Sequence, residues 1–429
     1  MQNVETKEIK VSDVIYREDL YPRIEHSPTT VQQYAESIEV LPPIEVNQHN
    51  ELIDGWHRWT AHKTAKVETI KAIVTETKNE TEFLELAIER NSKHGLQLSL
   101  TDKKEMARKI YNATPDRERK GKKQKLASIL SVGDRTIRDW LSRIDKDTKE
   151  ARDKRIFNLW LACYTEDEIA EREGLADRST VSYILEGLLK NGKSAEFQQS
   201  PLALHQVDFE IPLYNIWKQQ TKTDGVKHYG NSEIRWLDNL LYLYTKPFDI
   251  VVDPFGGGGS TIDLCKKRMR RYWVSDRKPI AARENDIRKH DMTTGLPPFH
   301  SWKDVKLVYL DPPYWKQSEK QYSEDSEDLA NMTLEDFNKT LSGIVKGFAS
   351  KLNDAYIALI IQPTQWKSDD AHEFTDHIKD MLCSIKLPVD MRYSVPYESQ
   401  QCTAQMVDWA KAQKKCLVLT REIIVWRID

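Results

Sequence analysis

Residues 248–260 read FDIVVDPFGGGGS, and this stretch decides the fold that the sequence predicts. Its apolar residues 250–252 indicate a short buried strand that ends at an acidic residue. Four glycines follow, and Ser260 opens a helix. Because glycine has no Cβ, such a turn can be sharp and can approach a bound cofactor closely. Taken alone, the pattern also fits other nucleotide-binding folds and plain turns.

Two further predicted strands end in acidic residues. Residues 272–275 predict a strand with Asp276 at its carboxyl end, where ligands of open α/β sheets lie. Residues 305–310 predict a buried strand, and the residues that follow it are Asp311, Pro312, Pro313 and Tyr314. The prolines stiffen the backbone and leave carbonyl oxygens free to accept. The exocyclic amine of a nucleobase needs such acceptors, and the nucleobase itself needs a flat aromatic surface. The alternative is that these four residues form only a rigid turn.

These motifs resemble those of the DNA amino-methyltransferases over about residues 229–429. The resemblance implies a Rossmann-like methyltransferase domain with S-adenosylmethionine as its cofactor. It implies that Asp276 holds the ribose, that Asp291 holds the adenine amine, and that residues 239–244 form a helix over the methionine end. The implied cofactor-binding residues are Asp253, Pro254, Phe255, Gly256, Gly258, Asp276 and Asp291. The implied catalytic residues are Asp311, Pro312, Pro313 and Tyr314.

The reaction implied by this resemblance is direct methyl transfer to the N6 amine of adenine in DNA. Asp311 and the Pro312 carbonyl would accept from the amine, and Tyr314 would stack on a base flipped out of the duplex. Adenine is favoured because the adenine enzymes usually have Asp first in the motif, whereas cytosine-N4 enzymes more often have Ser. Cytosine stays the alternative, and no target-recognition insert is evident in the sequence.

Three later segments are expected to complete the sheet and to end in an antiparallel hairpin. They are residues 356–361, residues 386–389 with 392–395, and residues 421–428. The glycine-rich loop is expected to lead into a helix over residues 261–271.

The middle of the chain predicts an all-α region with two helix-turn-helix candidates, residues 124–144 and 165–185. Asp134 is expected to cap the second helix of the first candidate, and Gly174 to form the turn of the other. The side chains expected to face DNA are those of Arg135, Thr136, Arg138, Arg178, Ser179 and Thr180. Ordinary helical hairpins with exposed arginines are the alternative.

A basic run precedes the first candidate. Between Asp102 and Lys125, ten Lys and Arg residues outnumber four acidic ones, an excess of six positive charges. This excess suits a phosphate backbone, although a solvated basic face is equally consistent with it.

Residues 41–63 read LPPIEVNQHNELIDGWHRWTAHK and predict two strands followed by a basic helix that starts at a glycine. With residues 21–23 and 89–93 they resemble the ParB-like N-terminal domain over about residues 7–95, an α+β fold. Members of that family bind CTP, and the matching nucleotide-contacting positions are Gly55, Arg58 and Asn91. The family's Gly-Glu-Arg-Arg reads Gly-Trp-His-Arg here, so a domain without nucleotide binding stays the alternative.

Length and composition favour several domains, which we place at residues 1–98, 99–192 and 205–429. The net charge of −3 gives no argument for nucleic acid by itself. The five cysteines form no CxxC pair, so we expect reduced thiols and no metal site. No stretch approaches the roughly 20 apolar residues that span a bilayer. We expect a cytoplasmic protein of a bacterial or phage-infected cell, with double-stranded DNA as its partner.

The preferred interpretation is a modular α/β enzyme. Its ParB-like and helix-turn-helix modules place it on DNA, and its second half methylates adenine, a combination that resembles proteins of phages and mobile elements. One alternative is a DNA-partitioning or transcription-regulating protein whose methyltransferase half is inactive or secondary. Another is methylation of RNA or protein. The sequence leaves a homodimer and the recognition site open.

Overall fold

A computed structural model describes residues 6–22, 27–93, 98–191, 205, 208–218, 233–315, 328–363, 376–396 and 404–429. The chain divides into two compact units, Met1–Ala151 and Arg152–Asp429. The division falls inside one helix of 28 residues, Asp134–Leu161. The boundaries expected at residues 98 and 192 stay a prediction. Within these described ranges, no helix is both long and apolar enough to cross a membrane.

The strands are β1 Thr6–Lys10, β2 Ile44–Val46, β3 Leu52–Asp54, β4 Thr69–Val74, β5 Ile250–Asp253, β6 Arg271–Asp276, β7 Arg288–Lys289, β8 Val305–Leu310, β9 Ala355–Ile361, β10 Val389–Pro396 and β11 Thr420–Ile428. The α-helices are α1 Pro28–Ala35, α2 Trp56–Thr64, α3 Glu80–Lys93, α4 Leu100–Ala113, α5 Lys122–Leu130, α6 Asp134–Leu161, α7 Glu166–Glu173, α8 Arg178–Asn191, α9 Ile234–Tyr244, α10 Ser260–Lys267, α11 Leu334–Ala349, α12 His377–Ile385 and α13 Ala404–Gln413.

The first unit begins with a four-stranded mixed sheet in the order β1-β4-β2-β3. β2 runs parallel to β4, and the other neighbours are antiparallel. Helix α2 contributes Trp59 to the core of this sheet, and the indole nitrogen of Trp59 donates to the carbonyl of Val11 at 3.1 Å. Helices α3, α4, α5 and the start of α6 enclose a separate apolar core. A mixed α/β N-terminal part, followed by helices, agrees with the prediction.

The second unit contains a seven-stranded sheet in the order β10-β11-β9-β8-β5-β6-β7. β11 is antiparallel to both of its neighbours, and the remaining neighbours run parallel to each other. Strands β5, β8 and β9 are almost wholly buried, as expected where helices cover both faces of a parallel sheet. This mostly parallel sheet confirms the predicted α/β class of this half.

Alternate residues of these strands enter two separate cores. Val308 and Ile357 pack in the core that contains Phe337 of α11, whereas Leu307 packs in the core that contains Trp236 of α9. Because β5, β6, β8 and β9 run parallel, their C-terminal ends lie at one edge of the sheet, which we call the carboxyl edge. It is marked by Asp253, Asp276, Leu310 and Ile361, which end β5, β6, β8 and β9.

Several predicted boundaries in this half were wrong. The helix after the glycine loop ends at Lys267, because Met269 takes the left-handed backbone conformation (φ 55°) and the chain turns into β6 at Arg271. Lys386 is also left-handed (φ 59°) and ends α12, so no strand covers residues 386–388. β10 and β11 pair antiparallel, but α13 lies between them in the chain, so they are not a hairpin.

Gly55 tests the packing of the first unit. Its φ is +105°, and a Cβ at this position would lie 2.7 Å from Cγ2 of Ile44. We expect Gly55→Ala to lower the free energy of unfolding by about 2–4 kcal/mol, from backbone strain and overpacking together. Gly121→Ala is the control, because Gly121 has φ +76° but open space around it. It should lose only about 1–2 kcal/mol in urea titrations, and equal losses would contradict the packing argument.

Candidate active site

The glycine-rich loop begins at a buried carboxylate. Asp253 is 2% exposed and accepts hydrogen bonds from the backbone N–H of Phe255 at 2.9 Å and from Thr261 Oγ1 at 2.6 Å. Thr261 is in the first turn of α10, so this bond ties β5 to the helix across the loop. Thr261 was not among the predicted site residues, although its place just after the loop could have marked it.

The loop also lies close against β6. The backbone N–H of Gly256 donates to the carbonyl of Ser275 at 2.8 Å. A Cβ on Gly256 would lie 2.5 Å from Cγ1 of Val274, so only glycine fits between the loop and the strand. Pro254 and Gly258 are buried, and Phe255 is half-buried against the core beneath the sheet.

Asp276 ends β6 and faces this loop. Its Oδ2 accepts from the backbone N–H of Gly257 at 3.0 Å, and its Oδ1 accepts from that of Lys278 at 2.8 Å. Each carboxylate oxygen has a second lone pair. Asp276 can therefore hold the loop in place and still accept hydroxyl bonds from a ligand.

Asp291 lies two residues after β7, on the outer side of Asp276. It accepts from the backbone N–H of Thr293 at 2.9 Å, and its Oδ2 is 2.9 Å from Arg277 Nε. Burial opposes ionisation, but the Thr293 bonds and the Arg277 charge outweigh it and lower the pKa of Asp291. The carboxylate is ionised, and its oxygens already take part in a hydrogen bond with Thr293 and an ion pair with Arg277.

Residues 311–314 leave the end of β8, between β5 and β9. Pro312 is buried, and Asp311, Pro313 and Tyr314 are partly exposed. The hydroxyl of Tyr314 donates to Asp311 Oδ1 at 3.2 Å. Acid, proline carbonyl and aromatic ring therefore lie together, one strand away from the glycine-rich loop.

Charge is concentrated at this edge. Burial raises the pKa of Asp253 to about 7, and the charges of Asp311 and Asp276 add to the rise. The hydrogen bonds from Thr261 and the Phe255 N–H oppose it. Asp253 therefore titrates near neutrality, unlike an exposed carboxyl.

The donor set fits the cofactor that the sequence implies. The close approach of Gly256 to β6 leaves a bare backbone turn, and Asp276 offers acceptors for a pair of ribose hydroxyls. Asp291, next to Asp276, has carboxylate lone pairs that can accept from an amine. These residues lie at the carboxyl ends of adjacent strands, where open α/β sheets bind nucleotides.

The first predicted helix-turn-helix consists of α5 and the start of α6. Ser131 makes the turn in the left-handed conformation, with φ 50°. Arg135 and Arg138 are exposed on the first turns of α6, and Thr136 is half-buried. Arg138 also lines a cleft of about 320 Å³, whose other lining residues are Tyr111, Arg119, Gly121, Lys123, Gln124 and Asp134.

The basic run near this cleft is less positive than its sequence suggests. Lys122 and Lys125 both pair with Glu85 of α3, and Lys123 pairs with Asp145 of α6. The local excess of six charges is therefore reduced by acids that are distant in sequence.

The second predicted helix-turn-helix consists of α7 and α8. Thr165 and Glu168 form a capping box, and Gly174 ends α7 with φ 65°. Arg178 and Ser179 are exposed on α8, and Thr180 is half-buried. The position of the turn agrees with the prediction.

This second pair belongs to the same unit as the seven-stranded sheet. Arg271 Nε donates to the carbonyl of Trp160 at 3.2 Å, and Arg288 Nη2 donates to that of Ala162 at 2.8 Å. These arginines begin β6 and β7, so the end of α6 and the α7–α8 pair are attached at the amino edge of the sheet. The carboxylates described above lie at the opposite edge.

The predicted nucleotide-contacting residues of the N-terminal unit bind other protein groups. Gly55 precedes α2 with φ 105°. Arg58 Nη2 donates to Asp54 Oδ2 at 2.6 Å. Asn91 is 3% exposed, and its Nδ2 donates to the carbonyl of Ala87 at 2.7 Å. A nucleotide here would have to share or replace these bonds.

Comparison with known families finds two overlapping matches. The ParB N-terminal domain profile matches residues 1–92. The DNA methylase profile (N6_N4_Mtase) matches residues 47–283, more than half of the 429 residues. The chain belongs to the DNA methylase family. The match includes the glycine-rich loop and Asp276 and ends before Asp291 and Asp311. The methylase thus carries a ParB N-terminal domain, and a DNA methylase implies S-adenosylmethionine as methyl donor.

No curated protein matches the methylase. Solved structures that resemble part of it include the C-terminally truncated chromosome-partitioning protein ParB from Caulobacter crescentus complexed to the centromeric parS site, at 15% identity and TM-score 0.24, covering 42% of this chain and 92% of that one. The same truncated protein complexed with CTP-gamma-S matches at 16% identity and TM-score 0.20, covering 42% and 99%. The pNOB8-like ParB N-domain matches at 11% identity and TM-score 0.28, covering 46% and 81%.

Asp253→Asn should change how the stability of the methylase varies with pH. In the folded state Asp253 keeps its proton up to about pH 7, whereas the unfolded chain releases it near the ordinary value of 3.8. Between these values the folded state binds more protons, so this group's contribution to stability falls as the pH rises.

We therefore expect the variant to gain stability relative to the native protein between pH 4 and pH 7, by a total on the order of a few kcal/mol, and to hold that advantage above pH 7. Thermal unfolding without cofactor, at a series of pH values, measures the difference. A difference that does not vary with pH would contradict the raised pKa.

Proposed function

We propose that this methylase transfers a methyl group from S-adenosylmethionine to the N6 amine of adenine in double-stranded DNA. The observation that carries the proposal is the placement of Asp311 and Tyr314 at the end of β8, directly beside β5 and its glycine-rich loop. Direct transfer needs the acceptor for the amine and the loop that binds the cofactor to lie next to each other, as they do on these neighbouring strands.

Different residues of the chain bind the cofactor and the target amine. Asp276 and Asp291 bind the ribose and the adenine amine of the cofactor, and Asp253, Pro254, Phe255, Gly256 and Gly258 shape the loop around it. The bound cofactor supplies an electrophilic methyl group on a sulfonium. Asp311 and the Pro312 carbonyl accept hydrogen bonds from the target amine and orient its nitrogen. The charge that develops on that nitrogen is stabilised by the Asp311 carboxylate.

Tyr314 and Pro313 complete the site for the base. The Tyr314 hydroxyl is already bonded to Asp311, which fixes the ring next to the amine acceptor. Its face is suited to stack on an extruded base, since a paired base cannot reach the site. Asp as the first residue of the motif supports adenine, and cytosine N4 is the alternative product.

Targeting is assigned to the helical modules. Arg138 lines a cleft together with Arg119 and Lys123, which supports DNA binding by the first pair. Arg135 and Thr136 precede Arg138 on the same helix and stay predicted contacts. Arg178 and Thr180 of the second pair stay predicted contacts, on a pair whose first helix carries Glu166, Asp167, Glu168, Glu171 and Glu173. CTP binding at Gly55, Arg58 and Asn91 also stays a prediction. A regulatory DNA-binding protein with a secondary methyltransferase is the alternative function.

Asp311→Ala tests the reaction. The native protein, incubated with methyl-labelled S-adenosylmethionine and unmethylated plasmid, should place label in N6-methyladenine after digestion to nucleosides. The variant should lose at least about 100-fold in rate, because it lacks the acceptor that orients the amine. Asp263→Ala, which replaces an exposed carboxylate on α10, is the control. Label in N4-methylcytosine would correct the base, and cofactor binding without label in DNA would favour the regulatory alternative.

Arg138→Ala tests the first helix pair. Loss of one phosphate contact should weaken binding to duplex DNA about tenfold and reduce the slope of log affinity against log salt by about 1. Arg143→Ala, farther along the same helix and 86% exposed, is the matched control and should bind as the native protein does. Equal affinity of both variants would contradict the assignment. Arg178→Ala, measured alongside, decides whether the second pair also contacts DNA.

A further inference from the structure

The strand order separates a cofactor side from a base side at the carboxyl edge. The glycine-rich loop, Asp276 and Asp291 all follow strands on one side of β8, namely β5, β6 and β7. Asp311 directly follows β8 itself. A base that turns its amine toward the loop must therefore have its ring on the other side of β8, where β9 ends and β11 begins.

Two buried polar side chains lie on that side. Gln362 directly follows β9 and is 6% exposed, and Arg421 is the second residue of β11 and is 5% exposed. Glu422 pairs with Ile361 in the antiparallel register, so Arg421 and Gln362 are opposite each other one step beyond that pair. None of the predicted site residues lies on these two strands.

The backbone of Gln362 is held in place by a hydrogen bond. Its carbonyl accepts from His377 Nε2 at 3.0 Å. Its side-chain Oε1 is buried and has no hydrogen-bond partner among the described residues. A buried amide oxygen without a partner is costly and rare, and such groups in native structures call for an explanation.

Arg421 makes the surroundings of Gln362 cationic. Its guanidinium lies 4.4 Å from the ring centre of Trp236. Leu310, the last residue of β8, pairs with Leu359 of β9, so Asp311 and Gln362 leave neighbouring strands at the carboxyl edge. The rung of Gln362 and Arg421 therefore lies one strand away from Asp311.

We propose that Gln362 contacts the target nucleobase and is a specificity-determining residue of this methylase; the proposal rests on the proposed function. A side-chain amide presents one acceptor beside two donors, and this pattern is complementary to an exocyclic amine next to a ring nitrogen. The Gln362 oxygen shares one of the two amine N–H groups with Asp311 in a three-centre hydrogen bond, and its NH2 group donates to the adjacent ring nitrogen.

The experiment compares Gln362→Leu and Gln362→Glu with the native protein on unmethylated plasmid. Leu removes both contacts and should lower kcat/KM for DNA about 10–100-fold. Glu keeps the acceptor and loses the donors, so its loss should be smaller. The dissociation constant of S-adenosylmethionine, measured by calorimetry, should stay within about twofold of the native value, because Gln362 lies on the base side of β8. Gln413→Leu, the same change at the exposed end of α13, is the control.

A second measurement does not depend on turnover. Duplex DNA in which 2-aminopurine replaces adenine should become more fluorescent when the native protein extrudes a base. 2-Aminopurine lacks the 6-amine but keeps the ring nitrogen to which the Gln362 NH2 group donates, so Gln362→Leu should reduce this increase. If the native protein transfers no methyl group, the proposed function fails, and the fluorescence alone then decides on Gln362. Native kcat/KM and native fluorescence in both variants would overturn the proposal. So would parallel losses of melting temperature and cofactor affinity, since these indicate a purely structural role.

Discussion

The hydrogen bond from Thr261 to Asp253 is the interaction on which the site depends. It joins the end of β5 to the start of α10 and closes the glycine-rich loop between them. Within the loop, the backbone N–H of Gly257 donates to Asp276, which ends the neighbouring strand β6. Because Asp253 is buried next to two other acids, its charge is disfavoured, and the two hydrogen bonds it accepts offset part of that cost. Loss of this bond would release the loop and Asp276 together.

Local sequence predicted most of the fold. β8 was predicted residue for residue, because six apolar-rich residues run into a proline pair. The boundaries at Met269 and Lys386 failed, because left-handed conformations of non-glycine residues have no clear sequence signal. The charge of the basic run was overstated for a different reason. Its partners Glu85 and Asp145 lie on other helices, and pairing over such distances depends on tertiary packing.

The same distinction explains which site residues the sequence predicted. Asp253 and Asp276 each end a strand and Asp311 directly follows one, and a strand end can be recognised from its own few residues. Gln362 and Arg421 are ordinary polar residues beside apolar runs. They become notable only because β11 inserts antiparallel between β10 and β9, which brings residues from distant parts of the chain into one rung. Strand order is not contained in any single motif, so no local pattern could have shown them.

The two edges of the large sheet carry different constraints. At the amino edge, Arg271 and Arg288 donate to backbone carbonyls at the end of α6, just before the α7–α8 pair begins. A strand of six residues spans about 20 Å, so groups attached there are separated from Asp311 by roughly the full length of the strands. In the proposed reaction, contacts to the extruded base would therefore come from the carboxyl edge, and any DNA contact made by α8 would act on the duplex at a distance from the reacting nucleotide. The proposed base contacts and the predicted duplex contacts of α8 thus belong to different residues at opposite edges of the sheet.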